Sequence, residues 1–286
     1  MRGDSRRGVA EGYRSVLYVP GHSEKMLLSS PGRGADALVF DLEDGVHPDK
    51  KADARKILGR WLGEATPAPS WWVRVNHRNT PWGRDDVRMA LSLGLGIVVP
   101  KVESADDLDW IRSEGSPASL ILMIETAGGL VASASLAQQE RVEGLMFGAA
   151  DYRASMRLLP AADEAEIAYA RQCIVHAARA ADVVAIDSPW FDPHDDAGLI
   201  ESAHRARSMG FEAKSTIHPR QVGIVNGAFA PSSDELAWAR RVVDTLEKAD
   251  RTQDSLALLD GSLIEAPHRA MAHRILAAAK RRDPEG

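Results

Sequence analysis

The chain has 286 residues, of which 44% are apolar, and it carries a formal net charge of −6 and one cysteine, Cys173. This apolar fraction is enough for a sizeable core and excludes a chain that is disordered throughout. A single cysteine excludes an intrachain disulfide, and the negative charge argues against nucleic acid as the main partner.

The first twelve residues contain Arg2, Arg6 and Arg7 and lack the apolar stretch of a secretory signal peptide. We predict a flexible segment over residues 1–12. No apolar run in the chain reaches the roughly 18 residues that suggest a membrane-spanning helix. These features predict a soluble, cytoplasmic protein with no membrane partner.

Short runs rich in Val, Ile and Leu recur along the chain and predict buried β-strands. In chain order they cover residues 16–19, 37–40, 71–75, 96–99, 120–124, 144–147, 183–186 and 213–216. The segments between them have helical spacing over residues 48–62, 85–93, 105–113, 130–138, 164–181 and 196–209, with a short crossover at 24–29. Near-continuous apolar strands separated by helices are typical of a parallel sheet covered on both faces.

Eight such strands are the number that closes a barrel, although a doubly wound open sheet would have the same periodicity. The position of the polar residues favours the barrel, because reactive groups collect at the C-terminal ends of barrel strands. Nearly every run ends in such residues, which are Asp41, Arg74, Asn76, Lys101, Glu125, Asp151, Asp187, Lys214 and His218. We therefore predict an α/β fold, a (β/α)₈ TIM barrel over residues 13–230.

The remaining residues, 231–286, predict a C-terminal helical extension. A helix over 233–249 begins at a plausible N-cap, Ser233, and a looser stretch over 251–262 leads to a last helix over 267–280. Because the barrel is complete before this extension, we expect the extension to pack on a neighbouring subunit of an oligomer.

Three carboxylates stand within four residues at the end of the second predicted strand, in Asp41-Leu42-Glu43-Asp44. Such carboxylates repel one another unless a cation or basic groups hold them. Acids at a helix N-terminus would look the same in sequence. Because the cluster directly follows a buried strand, we favour a site.

Two further acids, Glu125 and Asp151, follow the fifth and sixth predicted strands. These strands are neighbours in a barrel, so the two carboxylates can converge on one point above it. Oxygen ligands in ones and twos, with water and substrate at the other positions, are what Mg²⁺ prefers. The sequence has no His pair or Cys pair at metal-binding spacing, which makes a zinc site improbable.

Two basic residues accompany these acids. Arg74 ends the third predicted strand, where its guanidinium can hold a carboxylate or keto-acid oxygen through two hydrogen bonds, or can form a structural ion pair with Asp41 or Glu43. Lys101 can take either part. Among the histidines, His218 stands at a strand end and His22 comes next.

These residues resemble the citrate lyase β-subunit-like branch of the HpcH/HpaI aldolase/citrate lyase family, which includes malyl-CoA and citramalyl-CoA lyases. The matching segments fall in the family's order over about residues 14–225. They are 14–21 (RSVLYVPG), 41–44 (DLED), 74–76 (RVN), 100–103 (PKVE), 124–126 (IET), 147–151 (FGAAD), 185–187 (AID) and 214–221 (KSTIHPRQ).

The resemblance implies a barrel that assembles as trimers or hexamers and binds Mg²⁺, or Mn²⁺ in its place. By this resemblance, Glu125 and Asp151 ligate the metal, and Glu43 and Asp44 hold its waters as catalytic residues. Arg74 holds the keto-acid oxygen. The other substrate-binding residues that we predict are Gly148, Ala149, Lys101, Lys214 and His218.

The chain departs from the family at the acid of the C-terminal extension. Many members carry Val-Asp-x-Pro there, and that acid reaches into a neighbouring subunit's site. Here the matching stretch is Leu263-Ile264-Glu265-Ala266-Pro267, so the predicted catalytic acid is Glu265, one methylene longer than Asp.

The resemblance therefore implies a Mg²⁺-dependent lyase that cleaves or forms a short 3-hydroxyacyl-CoA, such as citramalyl-, malyl- or citryl-CoA, through a 2-keto acid and an acyl-CoA. The same metal site would also serve a thioesterase or a CoA-free keto-acid aldolase. Two further alternatives are a β subunit of a citrate lyase complex that uses an acyl-carrier protein, and an inactive relative kept for assembly.

Overall fold

The eight apolar runs form parallel β-strands in a computed structural model of the chain, which describes residues 12–65, 68, 70–252 and 256–280. They are Ser15–Pro20 (β1), Ala37–Asp41 (β2), Trp71–Arg74 (β3), Gly96–Val99 (β4), Leu120–Ile124 (β5), Val142–Phe147 (β6), Val184–Asp187 (β7) and Ala213–Thr216 (β8). Each strand pairs with the next, and β1 also pairs with β8, so the sheet closes. The predicted (β/α)₈ barrel is confirmed.

Alternate residues of each strand face the barrel interior and the surrounding helices, as the two-residue period of a strand requires. Val16 packs with Val39 and Trp72 in the interior, whereas Leu17 and Val73 belong to the layer beneath the helices. All five are buried. Each such burial contributes about 1.5–3 kcal/mol, which explains why the strands read as unbroken apolar runs.

Nine helices of the described chain surround the barrel. They are Glu24–Ser29 (α1), Lys51–Glu64 (α2), Gly83–Ser92 (α3), Asp106–Glu114 (α4), Ala127–Leu136 (α5), Ala149–Met156 (α6), Ala168–Ala181 (α7), Asp196–Met209 (α8) and Pro219–Ala228 (α9). Short 3₁₀ turns lie at Pro31–Arg33, Pro48–Lys50 and Ala165–Ile167. Two helices, α6 and α9, were not predicted. Helix α9 has a recognisable start, because His218 caps it and Pro219 occupies its first position.

The chain divides into two compact units, Met1–Phe229 and Ala230–Gly286. The second contains the helices Ser233–Thr252 (α10) and Ala266–Lys280 (α11), and between them a hairpin of Ala257–Leu259 (β9) and Ser262–Ile264 (β10). The sequence predicted a loose stretch where this hairpin lies. Asp260 and Gly261 form its turn with φ of 51° and 80°, and Asp-Gly is a hairpin signal that would have indicated it.

Two predictions about the chain as a whole remain. The predicted flexible segment, residues 1–12, lies outside the described residues except for Gly12. Within the ranges that the structure covers, none of the helices combines the length and apolar character needed to cross a membrane.

Candidate active site

A cavity of about 310 Å³ opens where the carboxyl ends of the strands meet. Strands β1, β2, β3, β5 and β6 contribute lining residues, which include Tyr18, Asp41, Arg74, Met123 and Phe147, and Glu125 follows β5. The predicted site residues that line the cavity are Asp44, Arg74, Glu125, Gly148, Ala149 and Asp151. The structure therefore brings together most of the residues that the sequence indicated.

Arg74 is anchored by a buried ion pair with Asp41. Its Nε and Nη2 each donate a hydrogen bond of 2.7 Å to the two oxygens of Asp41, and its guanidinium lies over the Tyr18 ring at 4.8 Å. Burial alone would raise the pKa of Asp41, but the charge and hydrogen bonds of Arg74 hold that pKa below its usual value. The structure shows the structural ion pair that the sequence offered as one role for Arg74. This pair uses Nε and one N–H of Nη2, so the Nη1 side of the guanidinium remains for a substrate oxygen.

Two residues hold the turn after β2, namely Lys51, which the sequence did not single out, and Asn76, which it identified only as a polar residue at a strand end. The Lys51 ammonium donates hydrogen bonds to the carbonyl oxygens of Leu42 and Glu43, at 3.0 and 2.8 Å. The Asn76 amide also donates to Leu42 O, at 2.8 Å. Because these backbone acceptors are satisfied inside the protein, the turn that carries Glu43 and Asp44 is held in one conformation.

Glu43 and Asp44 both point toward the free side of Arg74. Arg74 Nη1 lies 3.1 Å from Glu43 Oε2 and 3.5 Å from Asp44 Oδ2. The first contact lacks hydrogen-bond geometry, so Glu43 Oε2 is buried without a hydrogen bond to any described residue. Burial, opposed by Arg74 and assisted by the Asp44 charge, raises the pKa of Glu43 to about 7. A carboxyl with this pKa can exchange a proton near neutral pH.

Glu125 is the most deeply buried of the cavity acids, with 1% of its surface exposed. Its Oε1 accepts a hydrogen bond of 2.7 Å from the backbone N–H of Lys101. Burial and the charges of Glu43 and Asp151 raise the pKa of Glu125 to about 8. Gly148 passes so close that a side chain there would collide with Glu125, which explains the need for glycine at this position.

The carboxylates Asp41, Glu43, Asp44, Glu125 and Asp151 form an acidic corner, which suits a hard cation. Asp151 lies in the first turn of α6 and is half-exposed, and the Lys101 ammonium lies 3.6 Å from both Asp151 Oδ1 and Glu43 Oε1. Among the described residues, no group of three His, Cys, Asp or Glu side chains could hold a metal by itself. Two carboxylates, Glu125 and Asp151, with water and substrate oxygens at the other positions, match the donor set of Mg²⁺.

The cavity also has an apolar wall, which was not predicted. It is formed by Tyr18, Met123, Phe147, Pro189, Phe191 and Ile217. The Tyr18 hydroxyl donates to Met146 Sδ at 2.9 Å, so even its polar end faces a weak acceptor. Tyr18 lies inside the predicted strand 16–19, where an aromatic residue reads as core.

Lys214 corrects the sequence interpretation. It was predicted to bind substrate, but its side chain is fully buried and its Nζ donates to Asp187 Oδ2 at 2.6 Å and Ser202 Oγ at 3.0 Å. Arg171 also pairs with Asp187, at 2.9 Å, and forms two hydrogen bonds of 3.0 Å with Glu164. This buried charge network lies on the helix side of β7 and β8, so Lys214 cannot reach the cavity.

Glu164 should make the protein sensitive to acid. Burial would raise its pKa, but the hydrogen bonds and charge of Arg171, aided by Lys214 and Ser202, lower that pKa from 4.5 to about 2. Between about pH 5 and 2 the unfolded chain binds a proton here that the folded chain does not. The carboxylate therefore contributes about 3 kcal/mol at neutral pH, and this contribution is lost as the pH falls through that range.

We expect Glu164→Gln to lower the free energy of unfolding at pH 7 by about this amount and to weaken its dependence on pH below 5. Urea unfolding at a series of pH values measures both effects. A variant whose acid dependence matches that of the native protein would show that Glu164 is not the group responsible. Exposed Glu201→Gln, at the same charge change, is the control.

His218 and Glu265 lie at helix starts. His218 is exposed beside the cavity residue Ile217, and its Nδ1 accepts a hydrogen bond of 3.3 Å from the Arg220 N–H. Glu265 is exposed in the second unit, immediately before α11, and its N–H donates to His268 Nδ1 at 3.0 Å. The predicted roles of both residues toward substrate stay predictions.

Two named proteins are similar in sequence to this chain over most of its length. A (3S)-malyl-CoA thioesterase from Cereibacter sphaeroides is 36% identical over 273 residues, covering 95% of this chain and 96% of that protein. The mitochondrial citramalyl-CoA lyase of Homo sapiens is 31% identical over 277 residues, covering 89% of this chain and 82% of that protein.

A solved structure is also similar to this chain. The crystal structure of CitE from Mycobacterium tuberculosis in complex with magnesium, acetoacetate and coenzyme A has a TM-score of 0.83 and 30% identity, covering 95% of this chain and 99% of that one. The model of the HpcH/HpaI aldolase/citrate lyase family matches residues 14–219. The resemblance read from the sequence is confirmed, and this chain belongs to the HpcH/HpaI aldolase/citrate lyase family.

Proposed function

We propose that the protein is a Mg²⁺-dependent carbon–carbon lyase that acts on a short 3-hydroxyacyl-CoA. The observation that carries this proposal is the meeting of Glu125, Asp151 and Arg74 at one cavity on a barrel of this family. The named relatives support it, since one is a citramalyl-CoA lyase and another structure holds magnesium with coenzyme A.

Glu125 and Asp151 are the residues that would hold Mg²⁺. When bound, the ion stabilises negative charge on the oxygens of a 2-keto acid. Arg74 Nη1 is the protein donor placed to share that charge. Because Asp41 fixes the guanidinium through two hydrogen bonds, this donor is already oriented before substrate binds.

In cleavage, the substrate's 3-hydroxyl loses its proton and the bond between C2 and C3 breaks. A carbonyl is left at C3, and the electron pair passes to C2 as the thioester enolate, which then takes up a proton at C2. Glu43 and Asp44, both near Arg74 Nη1, are our candidates to accept the hydroxyl proton, directly or through water. Glu265 stays the predicted acid for C2, and assembly as trimers or hexamers stays a prediction.

The cavity favours a keto acid with one carboxylate. The described cations at the acidic corner, Arg74 and Lys101, both already contact protein carboxylates. A second substrate carboxylate would face the apolar wall or these acids, and an unpaired charge there is costly. Malyl- and citramalyl-CoA, which release glyoxylate and pyruvate, therefore fit better than citryl-CoA, which releases oxaloacetate.

Thioester hydrolysis is a second candidate function, because one relative of comparable length is named a (3S)-malyl-CoA thioesterase. The two reactions differ in products. A lyase releases a keto acid and an acyl-CoA without free thiol, whereas hydrolysis releases the thiol of CoA and a hydroxy acid. Trapping the keto acid as a hydrazone, in parallel with a thiol reagent, distinguishes them.

Malyl-, citramalyl- and citryl-CoA should be tested with Mg²⁺ and then with excess chelator. We expect at least one ester to be cleaved, and chelation to reduce its turnover by at least about a hundredfold, since a metal ion is worth several kcal/mol of charge stabilisation. Activity on the corresponding free acids would indicate the CoA-free aldolase, and activity on the acyl-carrier-protein esters would indicate the complex subunit. If no ester is cleaved with metal present, or if chelation changes nothing, the proposal is wrong.

A further inference from the structure

Lys101 has an unusual backbone conformation for a lysine. It follows Pro100 at the end of β4 with a φ of 52°, in the left-handed region. This conformation costs about 1–2 kcal/mol for a residue with a Cβ. It turns the Lys101 N–H toward Glu125, whose Oε1 accepts the 2.7 Å hydrogen bond. The local strain is therefore tied to a contact with the acidic corner.

The side chain of Lys101 turns to the same corner. Its ammonium lies 3.6 Å from Glu43 Oε1 and 3.6 Å from Asp151 Oδ1, so the backbone and side chain of one residue contact three acids. Both ammonium contacts are longer than a direct hydrogen bond, and 36% of the side chain is exposed. The ammonium can therefore leave the acids for solvent without breaking a tight contact.

The charges in this corner are unequal. Its described carboxylates are Asp41, Glu43, Asp44, Glu125 and Asp151. Its described cations are Arg74, Lys101 and Lys51, and the Lys51 ammonium is bound to the backbone oxygens of Leu42 and Glu43. Asp41 occupies two of the donors of Arg74. The Lys101 ammonium is thus the described cation that contacts Asp151, and it shares Glu43 with Arg74 Nη1.

We propose that Lys101 is a displaceable counter-ion, which neutralises the acidic corner before Mg²⁺ binds and is expelled by it. This inference rests on the Mg²⁺ site of the proposed function. The ion and the ammonium compete for Asp151 and repel each other.

A displaceable counter-ion has a distinctive signature, because removing it affects the metal-free protein and metal binding in opposite directions. Lys101→Met should lower the Tm in EDTA by about 2–4 °C, since the acids then repel one another. The same variant should bind Mg²⁺ more tightly, by at least about fivefold in Kd, because no ammonium has to be displaced. If Lys101 only maintained the shape of the site, its replacement would lower both the Tm in EDTA and the affinity for Mg²⁺.

The variant Lys101→Gly separates the effect of the backbone strain from the effect of losing the ammonium. Glycine adopts a positive φ without strain, so its Tm in EDTA should exceed that of Lys101→Met, while its Kd for Mg²⁺ falls by a similar factor. Lys56→Met is the control for the loss of one positive charge, because Lys56 is exposed and pairs only loosely with exposed Asp53, at 3.4 Å. It should leave both measurements unchanged.

Titration of the metal-free protein with MgCl₂ in a calorimeter and thermal unfolding in EDTA provide both measurements. Tighter Mg²⁺ binding by both Lys101 variants, with a lower Tm for Lys101→Met in EDTA, supports the proposal. Unchanged or weaker binding by Lys101→Met overturns it while leaving the proposed function intact. A native protein that does not bind Mg²⁺ in this titration contradicts the proposed function itself, and the role of Lys101 with it.

Discussion

Glu125→Gln should lower kcat/KM for the cleaved CoA ester by at least about a hundredfold, and by up to about 10⁴-fold, in the presence of Mg²⁺. The amide keeps the shape of the side chain and an oxygen to accept the Lys101 N–H bond, so the fold should survive. It removes the negative charge that a metal ligand supplies. We therefore expect the loss of turnover to come with a much weaker affinity for Mg²⁺.

The control is Glu103→Gln, which removes the same charge from an exposed glutamate in the loop after β4. Its turnover should stay within about twofold of the native value, as for a surface substitution. Circular dichroism and the Tm of both variants in EDTA show whether the fold is retained. Turnover of Glu125→Gln close to the native rate, with unchanged Mg²⁺ affinity, would remove Glu125 from the metal site.

The barrel could be predicted because each strand is buried on both faces. In most strands, although not in β8, this burial leaves a continuous apolar run that is bounded by the acids and bases of the strand ends, such as Asp41 and Glu125. Helix α6 was missed for the opposite reason, because it is short and buries only Ala149 and Tyr152. Too few apolar residues repeat there to produce a helical period.

The role of the cavity residues was harder to predict than their position. The sequence left open whether Arg74 binds substrate or pairs with an acid, because both uses require the same residue at a strand end. Only the contacts of Asp41 show that two of its donors are occupied. Lys51 was missed, and Asn76 was identified without a role, because both act through backbone oxygens of Leu42 and Glu43, which no side-chain motif reveals.

Lys214 was wrongly predicted to bind substrate because strand β8 has no apolar pattern that shows which of its side chains face the barrel interior. Ala213 belongs to the barrel interior, so the two-residue period directs Lys214 outward, toward Ser202 of α8. The register places Lys214 beside Asp187 of β7. A lysine and an aspartate that each look catalytic in sequence thus neutralise each other beneath the helices.

Replacing the buried Lys214 should strongly lower the stability of the protein. Lys214→Met should lower the free energy of unfolding by about 3–5 kcal/mol, since it leaves Asp187 and Glu164 with less buried positive charge. The KM for the CoA ester should change by less than about twofold, because the ammonium does not face the cavity. Urea unfolding and steady-state kinetics measure the two effects on one preparation. The control is Lys56→Met, whose exposed pair should contribute less than about 1 kcal/mol.

Two further variants keep this prediction testable if Lys214→Met folds poorly. Ser202→Ala removes a hydroxyl that contacts both Lys214 Nζ and Glu164 Oε2, and should lower stability by about 1–3 kcal/mol with an unchanged KM. Asp187→Asn combined with Lys214→Met should be less destabilised than the sum of the two single changes, because the pair is removed together. A KM that rises tenfold or more in Lys214→Met or Ser202→Ala, with stability unchanged, would restore Lys214 to the substrate site. Additive losses in the double variant would contradict a direct interaction between Asp187 and Lys214.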